Sequence, residues 1–435
     1  MLLPADNDLI TRVGPGTPMG NLMRQYWVPA LPTSEFADPD GAPKRMKLLG
    51  ENLVMFRTTD GSIGAVAESC PHRGASMFFG RNEENGLRCV YHGWKFDVTG
   101  SCVDMPNEPA ESNFKHKIHL TAYPATEAGS LVWVYMGPAE LQPPLPNFEF
   151  QGIREDWLFT AKIIYECNYV QAIEGEIDTT HAAFLHSTLD AAQKAKTAVT
   201  LGGKYQFINK WARFFVTQTD FGINVGAQRP VGDDMAYWRI SQWLQPVFTL
   251  IPREPGSDVR WGAWVPRDDD TTWVILLKWN PNNGPVDMDA DFELKACRNL
   301  IPGTWRAHYN LGNDYMIDRE LQRTSRYSGI RQDSGRAEDA AMMESMGPIV
   351  NRSQEHLGTT DSAVIAMRRG LIRGARALEQ GIEPFAATHP DVYQVRPSSC
   401  YIPFNDFYDQ VEDVRKEIYV NPELWENGVL KTYAK

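Results

Sequence analysis

Long apolar runs and an excess of basic charge are both missing from this sequence of 435 residues. Its apolar stretches, such as SLVWVYMG at 130–137, are far too short to cross a bilayer. The formal net charge is -12 and no long basic run offsets it, which excludes a nucleic-acid-binding surface. The start, MLLPADNDLI, lacks the cationic and apolar regions of a secretory signal. We therefore expect a cytoplasmic protein with no membrane partner.

Cysteine is also scarce, and internal repeats and low-complexity segments are absent from the sequence. The six cysteines are scattered, at 70, 89, 102, 167, 297 and 400. This is not the dense disulfide framework of a small secreted domain. The remaining composition, 43% hydrophobic and 23% charged, is ordinary for a globular protein, and the chain is long enough for two domains.

Strand and turn patterns dominate the middle of the chain. After a helix signal, in which Thr17 is the N-cap and Pro18 opens the helix, short strands occupy about 40–140. There LVMFRTTDGSIGAVA predicts a hairpin with its turn at Asp60–Gly61. The proline-rich stretch 137–150 is typical of a linker. Longer strands separated by turn residues then predict an antiparallel sheet over 211–280.

Helical patterns lie on both sides of this sheet in the sequence, at 172–190, 337–346 and 361–381. The last pattern places apolar residues on one stripe: Val364, Met367, Leu371 and Leu378. It also carries four arginines, which we interpret as its solvated face: Arg368, Arg369, Arg373 and Arg376. Antiparallel strands with separate helices predict an α+β fold.

Two short motifs each pair a cysteine with a histidine. They are Cys70-x-His72 and Cys89-x-x-His92, with 16 residues between them. A structural zinc site also accepts two cysteines and two histidines, but it favours C-x(2–4)-C knuckles, which are absent here. One thiolate and one imidazole from each loop suit a Rieske [2Fe-2S] cluster, in which two cysteines hold one iron and two histidines the other. We therefore predict these four residues as cluster ligands.

The sequence around these ligands narrows the type of cluster. The two loops read CPHRGAS and CVYHGWK, without a further cysteine, whereas respiratory Rieske proteins carry one more in each loop. The motif therefore resembles the lower-potential clusters of ring-hydroxylating oxygenases and their ferredoxins. Because this chain is far longer than such a ferredoxin, we expect its later part to use the electrons.

A second candidate metal site lies in IEGEIDTTHAAFLHS, residues 173–187. His181 and His186 are five residues apart, which places them about 140° apart around an ideal helix. They can face one metal only if the helix ends or bulges there. Taken alone, the segment favours two satisfied core histidines on an amphipathic helix. The cluster motif earlier in the chain favours the metal site.

The spacing Asp178-x-x-His181-x(4)-His186 is similar to the mononuclear iron motif of the Rieske non-haem iron oxygenases. The resemblance implies that His181 and His186 bind Fe(II) with a distant carboxylate, as a facial triad that leaves positions open for O2 and substrate. It also implies a catalytic role for Asp178, which would hydrogen-bond His181 and reach a cluster histidine, His92, of a neighbouring subunit.

The third iron ligand is expected downstream, in an acidic pair that opens a helix. Two aspartates fit, Asp333 after Gln332 and Asp339 after Glu338. The phrase EDAAMMESMGPI resembles the ligand helix of the family better, so Asp339 is predicted and Asp333 is the alternative. Two acids nearer the histidines, Glu174 and Glu176, are interpreted as solvated or helix-start acids.

Three further stretches resemble the phthalate dioxygenase branch of this family: RVGPGTPMGNLMRQYWVPA, CNYVQAIEGEIDTTHAAFLH and ESMGPIVNRSQEHLGTTDSAVI. The resemblance covers most of the chain. It implies a helical segment at 1–38 packing on the catalytic domain, an all-β Rieske domain at 39–145, and a catalytic domain at 146–435 with a helix-flanked antiparallel sheet. Asn351 stands where we expect Asp, outside the metal motifs.

The same branch implies an activity and partners. The expected reaction is cis-dihydroxylation of an aromatic carboxylate such as phthalate by O2. The alternative is a monooxygenase or O-demethylase of methoxy- or otherwise substituted aromatic acids. Electrons would come from NAD(P)H through a reductase carrying FMN and a plant-type [2Fe-2S] cluster, and the α subunits would form a homotrimer or a stacked-trimer hexamer. A third interpretation, from another class, is a non-catalytic electron carrier or a zinc-stabilised protein.

Pocket residues are predicted from their position near the ligands. Asn168 and Phe184 are expected to line the substrate pocket, with Asn168 also a catalytic candidate, and AYWRISQWLQPVF is expected to form a wall. An arginine such as Arg229 or Arg239 is a candidate for binding the substrate carboxylate. The alternative is that both arginines lie on an exposed strand face.

Overall fold

Antiparallel strands build the first third of the protein. The computed structural model describes residues 2–35, 37–109, 111–198, 200–282, 284–286, 297–334 and 336–431. The strands of this part are β1 (Trp27–Pro32), β2 (Lys44–Leu48), β3 (Glu51–Arg57), β4 (Ile63–Ala67), β5 (Arg81–Glu83), β6 (Gly86–Arg88), β7 (Lys95–Phe96), β8 (Cys102–Asp104), β9 (Ala122–Tyr123), β10 (Ala125–Ala128) and β11 (Leu131–Tyr135). They form three small sheets, in the orders β2-β3-β4-β9, β5-β6-β7-β8 and β1-β11-β10.

The predicted hairpin is the β3–β4 pair, in which Arg57 faces Ile63. Gly61 turns the chain with a φ of 87°, a conformation that costs glycine little. The sheet β5-β6-β7-β8 sits beside it, and a small core of its own fills the space between the two sheets. That core includes Val54, Phe56, Leu87, Phe96 and, at one end, Cys70 and Cys89.

A second, larger sheet organises the rest of the protein. Its strands are β12 (Phe159–Tyr165), β13 (Arg213–Gln218), β14 (Gly222–Val231), β15 (Met235–Leu244), β16 (Phe248–Leu250), β17 (Val259–Pro266), β18 (Thr272–Trp279) and β19 (Ser398–Pro403). The order is β12-β18-β17-β16-β15-β14-β13, with β19 paired to β15. β17 and β18 are buried along nearly their whole length, because both faces of the sheet are covered there. A short pair, β20 (Trp425–Glu426) and β21 (Val429–Leu430), follows near the C-terminus.

Helices flank the large sheet. They are α1 (Pro4–Thr11), α2 (Pro18–Met23), α3 (Tyr169–Ile177), α4 (Ala191–Ala195), α5 (Leu201–Tyr205), α6 (Arg319–Thr324), α7 (Ala337–Ser345), α8 (Ser362–Glu379), α9 (Phe385–Thr388) and α10 (Glu412–Ile418). As predicted, the side chain of Thr17 caps α2, accepting a hydrogen bond from Gly20 N at 3.1 Å. None of the described helices is both long and apolar enough to cross a bilayer.

Two of these helices matter most for the site. α3 packs on strands β15, β16 and β17, and α7 packs in turn on α3. The two helices approach closely at Gly175, where an added Cβ would lie only 2.6 Å from Sδ of Met343. α1 and α2 pack against α8 on the same side of the protein. The observed arrangement confirms the predicted α+β fold with a helix-flanked antiparallel sheet.

The predicted helix over 172–190 is wrong in its extent. α3 ends at Ile177, and the chain leaves the helix at Asp178 with an extended ψ of 119°. A separate 3-10 turn then spans His181–Ala183. The apolar pattern continues past the end of the helix because Ala183 is still buried, so periodicity alone does not mark the boundary.

Two charge interpretations from the sequence are also wrong. Glu174 is buried and accepts hydrogen bonds from Arg352 and Arg368, so it is not a solvated acid. Arg368, read as part of a solvated face, is 3% exposed and also pairs with Glu355. Glu176 is buried too, and its partner is Arg336. Charge pairing lets these groups enter the core, which their residue types alone would not suggest.

Candidate metal centres

The two Cys/His loops have the same construction. In the first, Cys70 O accepts from Gly74 N at 2.8 Å and Cys70 N donates to Ala75 O. In the second, Cys89 O accepts from Gly93 N at 2.9 Å and Cys89 N donates to Trp94 O. Both glycines have positive φ, 77° and 81°, which lets each loop turn back sharply after its histidine. Each loop thus presents one thiol and one imidazole on the same side.

The four side chains of these loops face one another across a narrow gap. The rings of His72 and His92 are 4.4 Å apart between centroids, and Trp94 stacks on His72 at 4.3 Å. The cysteines are buried and the histidines are only half-buried. Burial raises the pKa of the Cys70 thiol to about 11, and the adjacent Cys89 thiol contributes to the rise. Holding both sulfurs as thiolates here therefore requires a compensating metal charge.

This arrangement fits a two-iron cluster better than one zinc ion. Donor atoms around a tetrahedral zinc lie within about 4 Å of one another. Among the described residues, a set of three or more His, Cys, Asp or Glu donors within 4.8 Å of one another occurs at His181, His186 and Asp339, and the Cys/His loops form no such set. The four donors therefore do not converge as tightly as one metal ion needs, which agrees with a cluster of two separate irons.

The second candidate centre begins where α3 ends. Asn168 caps the helix by accepting a hydrogen bond from Val170 N, and the helix delivers Asp178 at its C-terminus. The 3-10 turn then carries His181, and the next loop carries His186. Because the α-helix has ended before both histidines, their five-residue spacing does not separate them. Their rings lie 5.2 Å apart between centroids, inclined at 76°.

Asp339, in the first turn of α7, completes the set. Its Oδ1 lies 3.0 Å from Nε2 of His186 and 3.6 Å from Nε2 of His181. The alternative, Asp333, is exposed and is not part of this group. Two imidazole nitrogens and one carboxylate oxygen converge from one side, which is the donor set of a 2-His-1-carboxylate iron site. The residues therefore fit a mononuclear iron.

His186 is fixed from behind by Glu338. Oε2 of Glu338 lies 2.8 Å from Nδ1 of His186. The same buried carboxylate accepts hydrogen bonds from three further side chains: Arg326, Ser328 and Gln332. Burial lowers the pKa of His186, but hydrogen bonds with Asp339 and Glu338 outweigh it and raise the pKa to about 9. This carboxylate–histidine pair orients the ring so that Nε2 points to the metal position.

His181 has a looser partner. Oδ2 of Asp178 is 3.7 Å from Nδ1 of His181, beyond hydrogen-bond distance, and this buried nitrogen makes no hydrogen bond to the described residues. The other oxygen of Asp178 accepts from both N and Oγ1 of Thr180, each at 2.7 Å. Asp178 is therefore held in place through one oxygen and has the other directed to His181.

Asp339 has a cationic neighbour. Nη2 of Arg336 donates to Oδ2 of Asp339 at 3.0 Å and also to Glu176 on α3. Burial alone would raise the pKa of Asp339, but the charge of Arg336 and the hydrogen bond with His186 hold it well below the usual range. The carboxylate is consequently ionised before any metal binds.

A cavity of about 280 Å³ opens in front of the three donors. Besides His181, His186 and Asp339, its walls contain the side chains of Glu176, Asp178, Arg239, Ile251, Arg260, Gln332 and Arg336. A ligand in this cavity would contact both the metal position and the arginines.

The pocket predictions are met only in part. Arg239 lines the cavity, whereas Arg229 is fully buried and donates to the backbone oxygens of Asn209 and Thr179. Asn168 lies away from the cavity, where its amide donates to Thr11 O and Asp269 O, so it is a helix cap and a tie to α1. Phe184 also lies outside the cavity walls, exposed and packed near Tyr327.

Two family profiles match the chain. Residues 26–124 match the Rieske [2Fe-2S] domain, and residues 134–419 match the family described as LigXa C-terminal domain like. The 3-chlorobenzoate-3,4-dioxygenase oxygenase subunit of Comamonas testosteroni is 37% identical over 418 residues, covering 92% of this chain and 95% of that protein. The chain belongs to the Rieske non-haem iron oxygenases.

Further relatives of this oxygenase agree with the assignment. The phthalate 4,5-dioxygenase oxygenase subunit of Pseudomonas putida is 37% identical, with 88% of each chain covered. The 5,5'-dehydrodivanillate O-demethylase oxygenase subunit of Sphingobium is 30% identical, with 89% of this chain and 83% of that protein covered. The crystal structure of dicamba monooxygenase bound to dicamba shares the fold, with a TM-score of 0.58 at 18% identity over 83% of this chain and 99% of that chain.

As a Rieske oxygenase, the protein uses a [2Fe-2S] cluster and a mononuclear iron, which confirms the cofactor prediction. The family assignment also excludes the interpretation as a simple electron carrier or a zinc-stabilised protein. It further confirms the identification made from the CPH, CVYH and D-x-x-H-x(4)-H motifs.

Sequence reasoning missed three residues of the iron site: Glu338, Arg336 and Arg260. Glu338 precedes Asp339 directly, so on a helix the two carboxylates point about 100° apart, one to the metal position and one behind His186. Arg336 lies three residues before Asp339, a spacing that brings side chains together. The spacings of Glu338 and Arg336 from Asp339 can be read in the sequence. Nothing in the sequence around Arg260 distinguishes it from other arginines.

Proposed function

We propose that this oxygenase cis-dihydroxylates an aromatic carboxylate of the phthalate type. Both atoms of O2 enter the ring, and two electrons and two protons complete the balance; NAD(P)H supplies both electrons and one of the protons, and solvent supplies the other. The observation that carries the proposal is the cavity in which His181, His186 and Asp339 face Arg239 and Arg260. The relatives named for chlorobenzoate and phthalate dioxygenation support the same reaction.

Arg239 is suited to bind the substrate carboxylate. Its Nε donates to Thr179 Oγ1 at 2.7 Å, and its Nη1 donates to Gln206 Oε1 at 2.5 Å. These two partners are neutral, so they orient the guanidinium without cancelling its charge. Arg260 lines the same cavity from β17. If charge-assisted hydrogen bonds hold the substrate carboxylate there, the aromatic ring of the substrate extends toward the metal position.

The size of the cavity supports a small substrate. Its volume of about 280 Å³ lies just below the usual range of ligand pockets, about 300 to 1,000 Å³. One aromatic ring with its carboxylates suits that space better than two linked rings. Ile251 supplies an apolar surface between the arginines and the metal donors.

Each ligand has a defined task in this proposal. When bound, the [2Fe-2S] cluster supplies electrons and the mononuclear iron supplies the site at which O2 reacts. Cys70, Cys89, His72 and His92 hold the cluster, and His181, His186 and Asp339 hold the iron. The three iron donors converge from one side, which leaves the cavity side open for O2 and substrate.

We place the electron route between subunits, through Asp178. The imidazoles of His72 and His92 lie near the surface among exposed apolar residues: Phe79, Val90 and Tyr91. We define as an apolar rim the exposed residues Phe184, Leu189, Ile208, Trp211 and Tyr327, of which Phe184 pairs with Tyr327 and lies two residues before His186. Exposed apolar areas of this kind are typical of protein–protein interfaces. The proposed assembly is a homotrimer or a stacked-trimer hexamer in which the cluster of one subunit docks on the rim of the next.

Light scattering at micromolar concentration tests this assembly. A mass of three or six chains is expected, and Tyr327→Glu, in the rim, should dissociate it. Thr388→Glu, at the exposed end of α9, is the matched control and should not. A wild-type monomer with full turnover would rule out the route between subunits.

The electron donor in this proposal is a separate reductase carrying FMN and a plant-type [2Fe-2S] cluster. Its support is the resemblance to the phthalate dioxygenase branch. The cytoplasmic location stays a prediction.

A second candidate function is O-demethylation or another monooxygenation of a substituted aromatic acid. It is supported by the relative named for O-demethylation of 5,5'-dehydrodivanillate. The same iron donors and the same carboxylate-binding arginines would serve it. The reactions differ in which substrate carbon lies over the metal position: a ring carbon gives a diol, whereas a methoxy carbon gives formaldehyde and a phenol.

Product analysis separates the two functions. The iron-loaded protein, with reductase and NADH, is given phthalate, 3-chlorobenzoate and 3-methoxybenzoate. A cis-diol from phthalate or chlorobenzoate, with one O2 consumed per NADH, is the expected result. Formaldehyde from the methoxy acid, without any diol, would establish the second function. Turnover of none of the three, by protein that holds both iron centres, would refute both functions.

A further inference from the structure

Asp339 uses its two carboxylate oxygens differently. Oδ1 faces the histidines, 3.0 Å from Nε2 of His186 and 3.6 Å from Nε2 of His181. Oδ2 points the other way and accepts a hydrogen bond from Nη2 of Arg336 at 3.0 Å. One oxygen is therefore directed at the metal position and the other is engaged by a cation.

Arg336 is held firmly enough to impose this orientation. Its side chain is 6% exposed, and its guanidinium also pairs with Glu176, whose side chain is 2% exposed. Glu176 belongs to α3 and Asp339 to α7, so one guanidinium joins the two helices that bring the ligands together. The guanidinium also lies 5.7 Å from the ring of Trp264, on the sheet side.

The backbone at Arg336 points to a specific requirement for this position. Arg336 has φ 58° and ψ 40°, in the left-handed region that non-glycine residues rarely adopt. Such a conformation persists only where the surroundings determine it. Here it sets the side chain behind Asp339 at the first turn of α7, within reach of both carboxylates.

We propose that Arg336 is a positioning residue that restricts Asp339 to binding the iron through one oxygen. A carboxylate free to rotate can offer both oxygens to a metal, which fills one more coordination position. With Oδ2 engaged by Arg336, that position stays available for O2 or substrate. The inference rests on the proposed role of Asp339 as the third iron ligand, and it extends that role.

Three variants of the full-length, cluster-loaded protein test the inference. Arg336→Gln removes the positive charge and frees Oδ2 of Asp339. Arg336→Lys keeps a positive charge but has a single nitrogen with which to bind the carboxylates. Glu176→Gln weakens the second ion pair of the same guanidinium. The readouts are Fe(II) affinity, by competition with a chelator, and the EPR signal of the Fe(II)–nitrosyl adduct, which responds to the ligands of the metal. The Rieske EPR signal reports whether each variant folds.

Arg336→Gln should give an altered nitrosyl signal and bind Fe(II) more tightly, because the freed Oδ2 becomes a second donor and a positive charge beside the metal position is lost; residues that orient metal ligands change affinity by about 10–100-fold. Arg336→Lys should fall between Gln and wild type. Glu176→Gln should keep the wild-type nitrosyl signal. Wild-type affinity and signal in Arg336→Gln would overturn the inference. Equal changes in affinity and signal in Glu176→Gln and Arg336→Gln would also overturn it. The effect would then come from the contact that links α3 to α7, and not from the hydrogen bond to Asp339.

If Arg336→Gln does not fold, a crystal structure of the iron-loaded wild-type protein decides. One oxygen of Asp339 on the iron and the other on Arg336 supports the inference, and both oxygens on the iron overturn it. Absence of any iron at His181, His186 and Asp339 would instead refute the proposed function, so the two failures are distinguishable.

Discussion

Oε2 of Glu338 lies 2.8 Å from Nδ1 of His186, on the side of the ring opposite to the metal position. Because Gln332 and Arg326 hold the same carboxylate, its position is fixed without any metal. Nδ1 of His181 has no comparable partner among the residues that the structure describes, since Oδ2 of Asp178 lies 3.7 Å away. His186 is thus oriented by a carboxylate at hydrogen-bond distance, whereas the carboxylate beside His181 is left without this contact.

Glu338→Gln should weaken iron binding by about 10–100-fold, because the amide orients His186 less strongly and does not raise the basicity of its ring. Iron content after dialysis against a Fe(II) chelator measures the effect. Asp333→Asn is the matched control, since Asp333 is exposed and lies nearby in the sequence. Full iron retention in Glu338→Gln would show that the 2.8 Å contact does not orient the ligand.

Iron affinity should depend steeply on pH. Although burial lowers the pKa of His186, Asp339 and Glu338 raise it to about 9 in the metal-free protein. Iron needs the neutral ring, so each Fe(II) displaces a proton below pH 9. The apparent affinity should rise about tenfold per pH unit between pH 7 and 9, measured by calorimetry in two buffers of different ionisation enthalpy. A flat profile would contradict this.

The same pKa shift has the opposite consequence for the stability of the metal-free protein. The pKa of His186 is higher in the folded protein than the value of about 6.5 for an unfolded chain. The charged ring therefore stabilises the fold fully below pH 6.5, and the contribution is lost as the pH rises through 9. Urea denaturation of the metal-free protein at pH 6 and pH 9 should show the lower midpoint at pH 9.

Asp178→Asn should retain both metal centres and lose coupled turnover, because the amide has only one acceptor oxygen, whereas Asp178 uses one oxygen for Thr180 and directs the other to His181. A single-turnover experiment with reduced protein, substrate and O2 measures oxidation of the cluster. Asp190→Asn, at an exposed position in the following loop, should oxidise its cluster at the wild-type rate. Rapid cluster oxidation in Asp178→Asn would remove Asp178 from the electron route.

Arg239→Gln should raise KM for the aromatic carboxylate about 10–100-fold, since a hydrogen bond to a charged group contributes about 1.5–3 kcal/mol. The carboxamide analogue of the substrate should lose much less, which separates charge recognition from a change of cavity shape. Arg213→Gln, on β13 and exposed, is the control. Equal losses for acid and amide would show that Arg239 does not bind the carboxylate.

Arg368→Met should destabilise the protein by about 3 kcal/mol, because it leaves Glu355 unpaired and removes one of the two buried guanidiniums that neutralise Glu174. Arg369→Met, one residue along α8 but exposed, should change stability by less than about 0.5 kcal/mol. Urea denaturation followed by tryptophan fluorescence compares the two. Equal midpoints would mean that the buried pairing contributes nothing net.

Local spacing predicted the parts of the two centres that lie close together in the chain. The two Cys/His loops could be recognised because each ligand pair occupies one turn, closed by Gly74 or Gly93. The D-x-x-H-x(4)-H segment could be recognised too, but not the end of its helix at Ile177, since burial continues to Ala183. Sequence spacing indicates which residues are near, and tertiary packing determines where a helix ends.

Contacts between residues far apart in the chain could not be predicted from the sequence. Glu174 and Arg368 are 194 positions apart and neutralise each other in the core, whereas charges taken singly are expected at the surface. Strands β12 and β19 lie far in sequence from the predicted sheet over 211–280, and they join it only through pairing with β18 and β15. Asn168 was misjudged for the same reason, since its partners on α1 and near β17 are remote in sequence.

The two centres also differ in the stage of synthesis at which they can be completed. The cluster residues fall within 70–92, so all four leave the ribosome early and close together. The iron donors are separated by the segment that forms β13 to β18, and Asp339 emerges only after that whole segment. Because a chain folds as it is made, from its N-terminus, the centre that meets O2 is assembled last. A chain synthesised only as far as the end of β18 thus still lacks Asp339, the third donor of this centre.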